Sequence, residues 1–167
     1  MNPRGGTELQ FEMLRKHCDN KLLDQTQICT SVPGKVPLDP DKLNILWQKN
    51  SYDQPNLHEF FGNPKRHKEY DWYIFNSHWC YEKFRYFYRI PTERSMVIKN
   101  GSAHFPERKI YKKGDPVKLL FHSTPWRGLN VMLGAMQYIK TPNVTLDVYS
   151  STKIYGQEFY EQNDYKF

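Results

Sequence analysis

The chain is 167 residues long, 38% apolar and 16% aromatic, with a formal net charge of +6 from 24 basic and 18 acidic side chains. That length makes one domain the default and leaves room for two small ones, and the aromatic rings supply part of the core volume that a low apolar fraction withholds. The positive excess suits nucleic acid, phosphorylated metabolites or an anionic membrane surface about equally, so charge alone selects none of them.

Cys18, Cys29 and Cys80 are odd in number and form no CxxC pair, which argues against a disulfide framework and for a reducing compartment. None of the six histidines stands in an HxxxH or Cys/His cluster with zinc-site spacing, so no metal is expected. There is no run of about 18 apolar residues, and the N-terminus lacks a signal-peptide core. The expectation is a soluble, cytoplasmic chain, with peripheral membrane contact left open.

In chain order, the first residues form a loop carrying Gly5-Gly6. Thr7 and Gln10 have capping-box spacing and predict a helix from Thr7 to about His17. The glycine pair lets backbone approach a ligand closely, as in anion-binding loops; the plainer reading is a capped helix after a flexible start. Strands are expected at Gln25–Val32, closed by Pro33-Gly34, and at Leu43–Trp47. The polar loop Gln48–Asn56, with Asp53 and Gln54, follows the second strand where open α/β sheets bind ligands. Leu57, Phe60 and Phe61 predict a short helix packed by its aromatic side, and Lys65-Arg66-His67-Lys68 reads as a solvated basic run, or otherwise as a phosphate or lipid-headgroup contact.

Tyr70–Ser77 is expected to be a strand ending at a helix cap, and His78–Tyr88 a helix lined by Trp79, Tyr81, Phe84 and Tyr88. Rings mixed with basic residues can stack on bases, but at helical spacing they more often form core. Pro91 stops the helix, Ser95–Lys99 is another strand, and Asn100-Gly101 supplies a turn. Residues 103–116 are charged and broken by Pro106, Gly114 and Pro116, which reads as a linker between an N-terminal domain (1–102) and a second one (117–167).

The second domain opens on a strand, a tight polar turn and a helix with Leu129, Met132, Leu133 and Met136 on one face. Arg127 and Gly128 lie in the turn. Free N–H groups and the positive end of the helix dipole attract anions there, and guanidinium binds phosphate oxygens in pairs. Asn143–Ser150 predicts a second parallel strand, completing a βαβ unit, and residues 151–167 are polar and aromatic. A lone βαβ unit cannot cover both sheet faces, so the second domain is expected to be incomplete and the chain a fragment or truncated form.

Four segments in this order resemble the GT-B fold glycosyltransferases that use nucleotide-activated sugars and retain anomeric configuration. They are Gly5-Gly6-Thr7-Glu8, Asp71–Ser77, Val97–Gly101 and Ser123–Leu129, and together they span most of the chain. The resemblance implies two Rossmann-like domains, the first on the acceptor side and the second holding the nucleotide-sugar. It implies that Gly5 and Gly6 leave room for the donor diphosphate and sugar. Arg127, just before Gly128, would neutralise the diphosphate without a metal ion. A second basic residue often lies a few positions upstream in that family; here His122, Ser123 and Thr124 occupy the place. Thr7, Ser77 and His78 become candidate donor or acceptor contacts. No residue is assigned as catalytic, because in retaining transfer the leaving phosphate can take the acceptor's proton; Glu8, Asp53 and Glu82 therefore receive no such role. The family's acidic donor-binding motif would fall beyond Phe167. No nucleic-acid partner is expected on this reading, and the acceptor, a glycan, lipid or other molecule, is not specified. The alternatives are a non-catalytic nucleic-acid-binding module or an inactive scaffold.

Overall fold

Four short strands, β1 (Thr26–Thr30), β2 (Leu43–Gln48), β3 (Trp72–Phe75) and β4 (Ser95–Val97), lie side by side in chain order, every pair parallel. A separate two-stranded parallel sheet pairs β5 (Val117–His122) with β6 (Val144–Tyr149). The computed structural model describes residues 5–102 and 110–163. It divides into two compact units, Gly6–Ala103 and a second that joins Met1–Gly5 to His104–Phe167. The architecture is α/β and compatible with a Rossmann-like fold. Of the expected linker, residues 103–109 lie outside the described residues, and 110–116 are irregular around one turn.

In the first unit β2 is the most deeply buried strand, with Asn44, Leu46, Trp47 and Gln48 all buried. That two-sided burial is what a central parallel strand requires. β3 alternates, with Tyr73 and Phe75 inside and Trp72 and Ile74 half-buried. The core is largely aromatic: Phe61 of α3 (Pro55–Phe61) meets Phe84 of α4 (His78–Tyr88) edge-on, with ring centroids 4.7 Å apart. Phe75 lies 5.3 Å from the same Phe84 ring. Ser77 caps α4 by accepting from the Cys80 N–H at 3.1 Å, and Arg89 ends it in the left-handed region at φ 52°.

Several expectations need correction. Helix α1 runs Gly6–His17 and buries no side chain. Gln10, expected in a capping box, instead bonds Gly101: its Nε2 donates to the Gly101 carbonyl at 2.8 Å, and its Oε1 accepts from the Gly101 N–H at 3.1 Å. A short helix not foreseen, α2 (Asn20–Asp24), is capped by Asp19, whose carboxylate accepts from the Lys21 N–H. Strands β1, β3 and β4 are shorter than expected. The basic run 65–68 is not simply solvated. It forms a 3₁₀ turn in which His67 is buried, its Nε2 2.9 Å from the Phe61 carbonyl. Trp79 does not line the core; the residue is 58% exposed.

In the second unit α5 (Leu129–Met136) connects β5 to β6, as a βαβ unit demands. Leu129, Met132 and Met136 are half-buried, whereas Leu133, expected on the same face, is exposed. Beyond β6 the chain forms a 3₁₀ turn at Lys153–Tyr155 and α6 (Gln157–Asn163). Among the described residues no apolar side chain of this unit is buried; the buried ones are Thr124 and Thr152.

Candidate functional site

β5 and β6 are in register through His122 and Tyr149, so the loops that follow them leave the same, carboxyl end of the sheet. The first loop contains Ser123, Thr124, a 3₁₀ turn at Pro125–Arg127 and then Gly128. Gly128 takes φ 101°, a conformation that side-chain-bearing residues rarely adopt, while a Cβ there would meet no atom within 4 Å. Glycine is required by the turn's conformation rather than by crowding. No side chain caps α5. Its first-turn N–H groups therefore stay available, with the exposed Arg127 beside them.

The second loop, after β6, packs against the first. Trp126 stacks on Tyr155 with centroids 5.4 Å apart, and Phe159 of α6 meets Trp126 at 6.0 Å. Three hydroxyls of these loops, on Thr124, Ser150 and Thr152, are buried without a hydrogen-bond partner among the described residues. Thr124 is 8% exposed and Thr152 is 0% exposed. Buried polar groups are nearly always satisfied, so such a cluster marks a place where a polar ligand or water completes the bonding. Ser150 and Thr152 were not singled out from sequence. The cue was there only in part: both follow a predicted parallel strand, at the ligand-binding end of its sheet.

His122 lies on the opposite strand parity from Phe121 and is exposed, and Ser123 is half-buried. Of the three residues offered in place of an upstream cation, Thr124 is the one with a buried, unpartnered group.

The remaining candidates divide between the units. Gly5 is grouped with the second unit, and Gly6, Thr7, Ser77 and His78 with the first. Gly6 is the first residue of α1, and a Cβ on it would meet nothing within 4 Å. Ser77 uses its oxygen to cap α4, leaving its hydroxyl proton free to donate, and His78 beside it is exposed. At the same carboxyl end of the first sheet stands Lys49, also missed in the sequence. Its Nζ lies 3.5 Å from the Trp47 ring centroid and donates to Asn100 Oδ1 at 3.0 Å, and burial lowers its pKa.

Among the described residues, no group of three or more His, Cys, Asp or Glu side chains is placed to hold a metal ion. No helix among them is long and apolar enough to cross a membrane. Comparison with protein-family models, curated proteins and solved structures finds no match.

Proposed function

We propose that the chain belongs to a nucleotide-sugar-dependent glycosyltransferase of GT-B type, and that the two loops at the carboxyl end of the β5–β6 sheet hold the donor's diphosphate. The observation that carries this reading is the pair of buried, unpartnered hydroxyls, Thr124 and Thr152, on adjacent loops at the start of an uncapped helix. Hydroxyls, backbone N–H groups and a guanidinium are all donors, and a diphosphate is an acceptor-rich anion that matches them.

In transfer, the bond between the sugar's anomeric carbon and the diphosphate oxygen breaks as the acceptor oxygen bonds to that carbon. The acceptor's proton passes to the leaving phosphate. Negative charge grows on the diphosphate as its bond breaks, so Arg127 and the α5 N–H groups stabilise the transition state more than the bound donor. Gly128 gives the turn the conformation that places Arg127 next to that helix start.

Calorimetry with UDP, GDP and ADP tests the reading. One of them is expected to bind, with EDTA making no difference. Arg127→Ala should weaken binding by roughly tenfold to a hundredfold, the range for a hydrogen bond to a charged group. Unchanged affinity in that variant removes Arg127 from the site, and failure of all three nucleotides overturns the proposal.

Within the basic run and the aromatic helix that the nucleic-acid alternative uses, three basic residues are already engaged. Arg66 bonds Glu69 at 2.7 Å and lies near Glu59, Arg85 bonds Glu82 at 2.6 Å, and His67 is buried.

A further inference from the structure

Helix α4 carries aromatic rings on two faces. One face, with Cys80 and Phe84, packs into the core; the other presents Trp79, 58% exposed, and Phe87, 51% exposed. Tyr52, from the loop after β2, closes over this second face. Its ring stacks on Phe87 with centroids 4.4 Å apart and planes 15° apart, and meets Trp79 edge-on at 6.2 Å. The loop is pinned: Tyr88 Oη donates to the Tyr52 carbonyl at 2.5 Å, and Gln48 Oε1 accepts from the N–H groups of Lys49 and Asn50. Lys83 lies among the three rings, its Nζ 5.7 Å from Tyr52, 5.8 Å from Trp79 and 5.9 Å from Phe87.

We propose that this face binds a saccharide bearing a carboxylate or a sulfate. Flat, exposed rings held rigid by their neighbours accept the C–H face of a pyranose, and ordering them costs little on binding. Lys83 supplies the complementary charge. It makes no ion pair with a described residue: the adjacent Glu82 is taken by Arg85, and the exposed Asp53 is not paired with it. A single unpaired cation suits one acidic group. A polynucleotide backbone draws its affinity from several phosphate contacts, and an anionic membrane from clusters of about four to eight basic residues. Among the described residues, Lys83 is the cation set against these three rings.

The inference does not rest on sugar transfer, because its test involves no nucleotide. Full-length protein is titrated with tetragalacturonate and with neutral maltotetraose, followed by calorimetry and saturation-transfer NMR. Tetragalacturonate is expected to bind more tightly. Trp79→Ala should weaken it by roughly tenfold, and Lys83→Gln should bring the two tetrasaccharides to equal affinity. Both side chains stand outside the core cluster, so an unchanged thermal midpoint will confirm that the variants remain folded. The proposal is overturned if neither tetrasaccharide binds, or if Trp79→Ala leaves affinity unchanged. Tighter binding of an oligothymidylate, or co-sedimentation with phosphatidylcholine–phosphatidylserine vesicles lost in Trp79→Ala, would equally overturn it in favour of those partners.

Discussion

Cys80 points inward from the first turn of α4, its Sγ 3.8 Å from the Asn50 carbonyl, and burial pushes its thiol from 9.0 up to about 11. Tyr70 is pushed from 10.0 up to about 12, by burial first of all. Both groups are neutral when protonated, so the folded chain holds their protons more tightly than the unfolded chain does. Below pH 9 both states are protonated and neither group makes stability depend on pH. As pH rises from 9 to about 11 the unfolded thiol ionises first and stability falls, and Tyr70 extends the fall from 10 to about 12. Urea midpoints measured across that window should drop, and Cys80→Ala should make the fall between 9 and 11 shallower, leaving the part due to Tyr70 and to Cys29, Tyr73 and Tyr88, whose protons burial also holds. An equal slope in the variant would show that the thiol is not its source. Gly128 makes a second prediction at this scale. With φ at 101° and open space around it, Gly128→Ala should cost about 1–2 kcal/mol through backbone strain alone, read as a lower thermal midpoint.

Helix α4 shows what pattern alone can and cannot assign at the level of an element. Its bounds, His78–Tyr88, were legible from Ser77 as cap and from the helical period of its rings. Which rings face inward was not, because Trp79, Phe84 and Phe87 look alike on an apolarity scale. The difference is set by what Phe61 and Phe75 contribute from elsewhere in the chain. Phe84→Ala should therefore cost about 3–5 kcal/mol in urea unfolding, while Phe87→Ala, at an exposed site, should cost far less. Comparable losses in the two variants would contradict the two-faced description. The same non-local logic explains the capping box that did not form. Thr7 and Gln10 satisfy the local rule, but Gln10 gains two hydrogen bonds to Gly101, 91 residues away. The turn at Arg127-Gly128 was legible, since a glycine at a strand–helix junction has few other uses. The unpartnered hydroxyls of Thr124 and Thr152 were not. Serine and threonine are common in loops, and nothing in the local sequence marks these two as buried.

Across the whole chain the apolar core is unevenly distributed. Every member of the buried hydrophobic cluster lies between Leu46 and Ile90, whereas β5, α5 and β6 bury no apolar side chain among the described residues. Local stability follows buried apolar contact, so the two units should open with different free energies. Amide hydrogen exchange is expected to be slow in β2 and β3 and much faster in β5 and β6, and equal protection in the two sheets would contradict this. The weak unit is also the one in which we propose the diphosphate site, which makes ligand linkage a measurable test there. A ligand that binds only the folded form at about a hundred times its Kd adds about 2.7 kcal/mol. Under conditions where exchange reports the opening equilibrium, that corresponds to roughly a hundredfold slower exchange. Saturating nucleoside diphosphate should therefore slow exchange in β5 and β6 and leave β2 and β3 largely unchanged, and in Arg127→Ala the same concentration should slow it only by roughly twofold to elevenfold. Protection confined instead to β2 and β3 would move the nucleotide to the first unit and remove the β5–β6 loops from the site.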